Sequence, residues 1–361
     1  MASTENRRER RARPAFGAAG NGGAAGNGGA AGNGGAAGNG GAAGNGGAAG
    51  NGGAAGSGGE PAAAAVPIVP LSVADLAGAI ALSASASWNQ NEADWRLMLT
   101  LGRAWGIRAP DAQRRERLAA SVVALPYGSE FAWVSMVLVL PEFRGRGYAS
   151  QLLAHALNEL AWRGIAAILD ATPAGHPIYV PMGFIDSWGF RRYRREATAP
   201  AAPARHAPGE RIEADARGLD VRPLRDADWP SILGIDRPAF GADREALLRS
   251  LAARLPGAAH VAERDGRIVG FVFGRDGREA AQIGPLLASD SATTRALLDA
   301  ALATVDGPVY LDLTDRHVEL VPWLQSRGFA YQRPFTRMLR GLKAAPGDPS
   351  RIVLVAGPEL G

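Results

Sequence analysis

The chain has 361 residues, of which 47% are hydrophobic and 20% charged, so it is long enough for more than one globular domain. It contains no cysteine, which excludes disulfide bonds, thiolate-metal sites and a cysteine nucleophile. Its five histidines show no paired spacing, so no metal site is predicted, and no apolar run approaches the ~20 residues that cross a membrane.

The net charge of +4 comes almost entirely from arginine, since Lys343 is the only lysine. These arginines are dispersed rather than interleaved with aromatic residues, which does not favour a nucleic-acid surface. An alternative is that the arginine-rich start of the chain associates with nucleic acid. That reading predicts a steep salt dependence that is lost on deletion of residues 1–60.

Residues 1–66 differ in composition from the rest of the chain. Residues 18–56 repeat the hexapeptide Ala-Ala-Gly-Asn-Gly-Gly. A glycine-rich tract without large side chains cannot bury enough surface to fold alone, so we expect a disordered low-complexity tail. The arginines at its start are followed by glycine-rich sequence rather than an apolar export core, which predicts a cytoplasmic protein.

Residues 67–197 form the first predicted folded domain. Helical patterns cover 73–84 and 91–104, and alternating apolar patterns predict strands at 118–125 and 131–140 around a Pro126-Tyr127-Gly128 turn. A further strand is predicted at 166–170.

The run from Val137 to Ala149 has the composition of an anion-binding loop. An apolar strand containing Val137, Leu138 and Val139 leads into Arg144-Gly145-Arg146-Gly147-Tyr148-Ala149. Apolar residues from Ala149 to Ala161 recur at helical spacing, so a helix begins inside the loop. Glycines let backbone amides approach an anion closely, and a helix start offers unpaired N–H groups. The sequence therefore predicts a pyrophosphate site.

This segment resembles the acyl-CoA signature of the GCN5-related N-acetyltransferases (GNAT), in which a strand and a proline precede Arg/Gln-x-x-Gly-x-Gly/Ala at the start of a helix. A second feature of that family, an aromatic residue ahead of Gly-Phe, is present as Tyr179 before Gly183-Phe184. The resemblance covers residues 67–195 and, more weakly, 220–340.

The resemblance implies acetyl transfer from acetyl-CoA to an amine. It assigns CoA contacts to Val137, Leu138 and Val139 on the fourth strand and to the loop Arg144-Gly145-Arg146-Gly147-Tyr148-Ala149. It also implies that Tyr179 is the general acid that protonates the departing thiolate; the alternative is that Tyr179 is a packed aromatic residue under the last strand. No metal is implied.

The general base is the weakest part of the predicted site. A carboxylate often stands on the fourth strand where this chain has Ser135, and a serine cannot take up a proton at neutral pH. Water relayed by Ser135, or a carboxylate such as Asp170 or Asp94, could substitute. Asp170 could instead cap the following helix.

The segment between the first two helices covers the acceptor pocket in the resembled fold. The candidate substrate contacts are therefore Trp88, Asn89, Gln90, Asp94 and Trp95, because an indole and amides can orient a small polar molecule. The alternative is that Trp88 and Trp95 are core residues and that Asn89 and Gln90 cap the second helix.

A linker is predicted at 198–219, followed by a second domain at 220–361 whose elements repeat the order of the first. The repeat includes Leu311-Asp312, which matches Leu169-Asp170. The second copy of the loop, residues 287–292, has no glycine and contains Asp290, which would repel phosphate. Leu324 occupies the position that corresponds to Tyr179. We therefore expect a degenerate, non-catalytic domain that braces the first domain or walls its acceptor site.

The sequence thus predicts an α/β fold of two GNAT-like domains, each with a mixed, mostly antiparallel sheet flanked by helices. The predicted function is acetyl transfer from acetyl-CoA to the amine of a small polar acceptor. The alternative is a non-enzymatic acyl-CoA-binding or sensing protein. The identity of the acceptor and the oligomeric state stay open at this stage.

Overall fold

The structure, a computed structural model, describes residues 66–197 and 218–361. The predicted tail therefore lies outside the described residues except for residue 66, and so does the predicted linker except for residues 218–219. None of the helices in the two described ranges is long and apolar enough to cross a lipid bilayer. The same ranges contain no cluster of histidine and carboxylate side chains that could hold a metal ion.

The first half, residues 66–197, contains six strands and four helices. Its strands are β1 (Ile68–Pro70), β2 (Arg103–Pro110), β3 (Glu116–Tyr127), β4 (Phe131–Val139), β5 (Ala166–Ala171) and β6 (Ile185–Arg195). Its helices are α1 (Leu76–Ser85), α2 (Glu92–Leu101), α3 (Tyr148–Trp162) and the single turn α4 (His176–Tyr179).

The second half, residues 218–361, contains seven strands and four helices. Its strands are β7 (Leu219–Pro223), β8 (His260–Arg264), β9 (Arg267–Arg275), β10 (Ala281–Ala288), β11 (Val309–Thr314), β12 (Ala330–Arg340) and β13 (Ile352–Leu354). Its helices are α5 (Trp229–Phe240), α6 (Glu245–Arg254), α7 (Ser291–Leu302) and α8 (Val321–Ser326).

The predicted helix at 91–104 is wrong at its C-terminal end, because α2 ends at Leu101 and β2 begins at Arg103. Gly102 makes this change of direction possible. A Cβ atom there would lie 2.6 Å from the Met98 carbonyl oxygen, so only glycine fits between the helix and the strand. The helical pattern of 149–161 is confirmed as α3.

All thirteen strands form one mixed sheet in the order β1-β2-β3-β4-β5-β12-β6-β11-β13-β10-β9-β8-β7. The mixed α/β fold with flanking helices is confirmed, but the two halves exchange strands. β12 of the second half pairs with β5 of the first, and β6 of the first half pairs with β11 of the second. β6 and β12 also pair with each other along most of their length. The two halves therefore share a continuous sheet.

A buried ion pair fixes each exchanged strand. Asp170 on β5 lies opposite Arg337 on β12, and Asp312 on β11 lies opposite Arg192 on β6. Arg192 donates to both carboxylate oxygens of Asp312 over 2.8 and 2.7 Å, and Arg337 donates to both oxygens of Asp170 over 2.9 Å. The two Leu-Asp pairs that repeat in the sequence thus each bind an arginine from the other half.

Strands β4 and β5 separate after their first three paired residues, which end at Trp133 and Ile168. Beyond this point β4 contains a bulge at Met136, where the backbone is left-handed with φ +52°. The Ser121 hydroxyl donates to the Met136 carbonyl over 2.8 Å and holds the bulge in place. A bulge increases local twist and bends the strand, so β4 and β5 diverge and leave an opening.

The corresponding opening in the second half is filled. β10 and β11 pair in parallel at Ala281–Ile283 with Val309–Leu311, and β13 then lies between them. Leu354 of β13 is paired both with Leu286 of β10 and with Leu313 of β11. Backbone of the chain itself therefore occupies the space that stays open in the first half.

Candidate active site

The glycine loop, residues 144–149, has the geometry of an anion site. Gly145 and Gly147 have left-handed φ values of +76° and +75°, which glycine adopts without strain. No side chain of the described residues caps α3, and its first backbone hydrogen bond runs from Gln151 N–H to the Gly147 carbonyl over 3.0 Å. The amides of residues 148–150 are therefore available to an anion, at the positive end of the helix dipole.

Two arginines belong to the loop that precedes these amides. Arg144 donates through Nε to the Val139 carbonyl over 3.3 Å, and Arg146 lies over the Phe143 ring at 5.2 Å. Gly145, Arg146 and Gly147 are exposed, whereas Tyr148 is buried and anchors the start of the helix. Leu138 and Val139 are buried in β4 and lead the chain into the loop.

The equivalent helix of the second half is closed to anions. Asp290 caps α7 by accepting from Thr293 N–H over 2.7 Å, and it also forms an ion pair with Arg264 at 3.1 Å. A carboxylate therefore occupies the position that a phosphate would need. Because β13 also fills the opening between β10 and β11, the second half offers neither part of a coenzyme site.

We expect one molecule of acetyl-CoA to bind per chain, because only the first half combines an open strand pair with an uncapped helix. Isothermal titration calorimetry of the full chain would measure this stoichiometry. The variant Asp290→Asn should leave the stoichiometry unchanged, since β13 still fills the second opening. A value of two sites per chain would contradict this interpretation.

A cavity of about 60 Å³ lies where β4 and β5 separate. This volume has room for a few water molecules or a small acyl group. Both halves contribute to its wall. The lining residues include Trp88, Asn89, Gln90, Ser135, Val137, Asp170 and Tyr179, which the sequence singled out, and Arg192, Arg333, Phe335, Pro358 and Glu359, which it did not.

Tyr179 contributes a free hydroxyl to this cavity. Its ring packs against Phe184 at 6.0 Å, and within residues 66–197 and 218–361 no hydrogen bond engages its oxygen. Burial raises the pKa of Tyr179 to about 12, so the phenol keeps its proton throughout the physiological range. A protonated phenol on the cavity wall can donate a proton to a leaving thiolate.

We expect Tyr179→Phe to lower kcat about 100-fold while leaving the Kd for acetyl-CoA nearly unchanged. Because the phenol loses its proton only as the pH rises toward about 12, the ratio of wild-type to variant kcat should stay constant from about pH 7 to pH 10. Steady-state kinetics over that range would test this, with the exposed Tyr331→Phe as the matched control. A ratio that falls within this range would mean that the phenol titrates there.

Ser135 and Asp170 both line the cavity but differ in what they can do. Ser135 Oγ is buried and has no hydrogen-bond partner in the described part of the chain, so it is free to contact a ligand. Both oxygens of Asp170 accept from Arg337, whose guanidinium lies over the Trp133 and Trp188 rings at 4.3 and 4.0 Å. Asp170 therefore does not cap the following helix, which corrects that alternative.

The protonation of Asp170 follows from its burial. Loss of water raises the pKa of the Asp170 carboxyl to about 6, although the neighbouring Arg337 opposes the shift. At neutral pH the carboxylate is thus ionised and bound to Arg337. The Asp170–Arg337 ion pair therefore links the two halves. Because both oxygens of Asp170 are bound to Arg337, neither is free to receive a proton from a substrate.

The predicted acceptor segment divides into residues that reach the cavity and residues that do not. Trp88, Asn89 and Gln90 line it. The Asn89 side chain is already engaged, because its amide donates to the Ala280 carbonyl over 3.0 Å and accepts from the Glu279 and Ala280 N–H groups. Gln90 Oε1 is buried without a partner among the described residues. Asn89 therefore fixes the segment to the second half, and Gln90 remains free.

Asp94 does not line the cavity. It completes a capping box with Asn91 at the start of α2 and binds Arg254 over 2.6 Å and also Arg275. The helix cap is thus Asn91 rather than Asn89 or Gln90, which corrects that alternative. Trp95 is fully buried and donates to Ser83 Oγ over 3.1 Å, so it is a core residue, and its prediction as a substrate contact is wrong.

Sequence reasoning missed the residues that the second half contributes to the cavity. Glu359 is 3% exposed and accepts from Arg275 through Oε1, whereas its Oε2 is buried with no hydrogen-bond partner in the described ranges. The neighbouring Trp133 indole N–H donates to the Pro358 carbonyl over 3.0 Å. No local pattern in residues 352–361 indicates that the chain returns to the cavity of the first half.

A bulged strand, an open strand pair, a glycine loop and an uncapped helix together define an acyl-CoA-dependent transferase fold in the first half. The second half repeats the order of the elements, but its strand pair is filled and its helix is capped. Two family models, each described as an acetyltransferase (GNAT) domain, match residues 111–186 and 232–353. The chain belongs to the GCN5-related N-acetyltransferase superfamily and has a tandem arrangement of two GNAT domains. Membership of this family supports acyl transfer as the general class of reaction.

Two curated relatives agree with this assignment. The uncharacterized N-acetyltransferase YitH of Bacillus subtilis is 21% identical over 263 residues, covering 73% of this chain and 87% of that protein. Holothin acyltransferase of a Pseudoalteromonas species is 26% identical over 248 residues, covering 67% of this chain and 77% of that protein.

Solved structures show the same fold. A putative acetyltransferase from Pyrococcus horikoshii superposes with a TM-score of 0.63 at 16% identity, covering 84% of this chain and 98% of that one. A tandem GNAT protein from the clavulanic acid biosynthesis pathway superposes with a TM-score of 0.52 at 16% identity, covering 76% of this chain and 98% of that one. At these identities the likeness concerns the fold alone.

Proposed function

We propose that the protein transfers an acetyl group from acetyl-CoA to the primary amine of a small polar acceptor, and that residues 67–197 bind the coenzyme and supply the general acid. The observation that best supports this proposal is the continuity of β4. The bulged part of β4, which includes Ser135, lines the cavity opposite other residues such as Tyr179. The same strand then leads into the glycine loop. One strand can thus orient a coenzyme from its pyrophosphate to its thioester.

The coenzyme would bind through backbone groups. The amides of residues 148–150 would hold the pyrophosphate, with Arg144 and Arg146 neutralising its charge. The thioester would lie in the opening between β4 and β5, where the backbone of Val137 is able to support the developing oxyanion. A cavity of about 60 Å³ favours an acetyl group over a long acyl chain.

Tyr179 would act as the general acid. As the amine nitrogen attacks the thioester carbon, the carbon–sulfur bond breaks and the sulfur needs a proton. A phenol whose pKa is raised by burial retains a proton to give. The second half, residues 220–361, would take no part as a separate catalyst but would wall the acceptor side of the cavity.

Thiol release from acetyl-CoA in the presence of a panel of small amines would test this proposal. We expect release that depends on both substrates, together with an acetylated amine detected by mass spectrometry. Longer acyl-CoA donors should react more slowly. Binding of acetyl-CoA without thiol release for any amine would overturn the enzyme assignment in favour of an acyl-CoA-binding or sensing protein.

A further inference from the structure

Three buried oxygen atoms on the cavity wall lack hydrogen-bond partners in the described part of the chain. They are Gln90 Oε1, Ser135 Oγ and Glu359 Oε2. Buried polar atoms are normally hydrogen-bonded, so several such atoms on one cavity indicate a ligand that would satisfy them. Each of these oxygens can accept a hydrogen bond, and an ammonium group offers three N–H donors and no acceptor. The three free acceptors therefore match the N–H donors of a protonated primary amine. Arg333 Nε, which lines the same cavity and is also buried without a partner in the described residues, is a donor and would pair with an acceptor atom elsewhere on the substrates.

Glu359 is the only one of the three whose free oxygen belongs to a carboxylate, which is a base as well as a hydrogen-bond acceptor. Its position is fixed by a chain of contacts across the two halves. Glu359 Oε1 accepts from Arg275, and Arg275 also donates to Asp94 on α2. A Cβ atom at Gly357, where φ is +136°, would lie 3.0 Å from Arg275 Nη2 and 3.1 Å from Glu359 Oε2. Glycine at 357 therefore allows one carboxylate oxygen to be held while the other stays free.

We propose that Glu359, supplied by the second half, is the general base of the reaction: its Oε2 binds the ammonium group of the acceptor and takes one of its protons. This proposal rests on the proposed acetyl transfer. It gives the segment after β13 a catalytic task in the cleft of the first half. It also accounts for a first half that has Ser135 where a carboxylate base would be expected.

Two protons leave the ammonium nitrogen in the proposed reaction. The ammonium gives one proton to Glu359, and the neutral nitrogen forms a bond to the thioester carbon. As the carbon–sulfur bond breaks, the sulfur takes the proton of Tyr179, and the surplus proton on nitrogen passes to the phenolate. The products are the amide and the free thiol, and Glu359 releases the remaining proton to solvent.

The charged groups around Glu359 come from several strands. Arg275 on β9 contacts it directly, Asp170 on β5 and Arg192 on β6 lie within reach of its charge, and Arg333 on β12 lines the same cavity. Asp170 is bound to Arg337, and Arg192 is bound to Asp312. The charge of Glu359 also acts on Tyr127 of β3. Burial raises the pKa of the Tyr127 phenol above its ordinary value, so this phenol stays neutral. Glu359 Oε2 thus remains the carboxylate oxygen without a partner on this wall.

The variant Glu359→Gln tests the proposal in the full chain. Glutamine can keep a hydrogen bond to Arg275, and Asp94 still neutralises that arginine, so the variant should fold. We expect kcat with an aliphatic amine to fall about 100-fold at pH 7, while the Kd for acetyl-CoA stays unchanged. The deficit should shrink as the pH rises toward the pKa of the amine, and it should nearly vanish for an amine of low pKa, because a neutral nitrogen needs no base.

Glu263→Gln is the matched control, because Glu263 is also paired with an arginine, Arg222, but lies away from the cavity. It should retain wild-type kinetics. Wild-type rates for Glu359→Gln would overturn the assignment of the base while leaving acetyl transfer intact. A deficit that is the same at every pH and for every amine would also overturn it, since it would reflect structure rather than proton transfer. If the wild-type protein releases no thiol, both proposals fall.

Discussion

Replacing Gly147 by aspartate is expected to raise the Kd for acetyl-CoA at least ~100-fold, or about 2.7 kcal/mol. The new carboxylate would stand at the start of α3, where the free amides of residues 148–150 face the predicted pyrophosphate. Asp290 shows the result in the same chain, because its carboxylate accepts from Thr293 N–H and caps α7. The substitution would therefore give the first helix the closed end of the second. A Cβ atom at 147 would lie 3.6 Å from Gln151 Nε2, which is an ordinary contact, and aspartate adopts left-handed backbone more readily than most residues, so α3 should still form.

Calorimetry or equilibrium dialysis with acetyl-CoA would measure the effect of Gly147→Asp. Gly128→Asp is the matched control, since Gly128 has a similar φ of +66° and an open environment in the turn between β3 and β4. Both variants place aspartate in left-handed backbone, so both carry the same strain. If Gly147→Asp and Gly128→Asp bound acetyl-CoA with equal affinity, the glycine loop would not be part of the coenzyme site.

Replacing Asp312 by alanine is expected to lower the free energy of unfolding by about 3–5 kcal/mol. Asp312 and Arg192 are almost completely buried, and their two hydrogen bonds join β11 to the exchanged strand β6. Gln282 Nε2 also donates to Asp312 over 3.0 Å. Alanine would leave a buried guanidinium without its carboxylate, which costs far more than the net stabilisation that an intact pair provides.

Denaturant unfolding followed by circular dichroism would measure this loss. Asp299→Ala is the control, because Asp299 pairs with Arg327 at the surface and such a pair contributes only about 0–1 kcal/mol. Both halves should unfold together, since β6 and β12 each complete the sheet of the other half. Two separate unfolding transitions, or equal stability in the two variants, would contradict the role of the exchanged strands.

Local patterns predicted the part of the site that lies within a short stretch of chain. The glycine loop, the helix α3 and the strand before it follow from apolar periodicity and from the backbone freedom of Gly145 and Gly147. The loop and the helix depend on neighbours in sequence, so a single sequence contains the necessary signal. Trp88, Gln90, Ser135 and Tyr179, all of which line one cavity, were selected by the resemblance to the GNAT family and not by local patterns.

Features that depend on distant residues were missed or misread. Asp170 looked like a helix cap or a base, but its position opposite Arg337 makes it one of two links between the halves. Asp94 looked like a substrate contact, but it holds Arg254 and Arg275. In each case the partner lies more than a hundred residues away, and no periodicity records which residues become neighbours across a sheet.

The amino-acid sequence by itself determined the mixed α/β class, the repeated order of elements and the difference between the two loops, because propensity, capping and glycine freedom act over a few residues. Only the tertiary structure decided that β6 and β12 change places, that β13 fills the second opening and that Glu359 returns to the cavity of the first half. Those outcomes depend on strand pairing and burial summed over the whole sheet. Many pairings satisfy the same local pattern, and the lowest free energy selects among them.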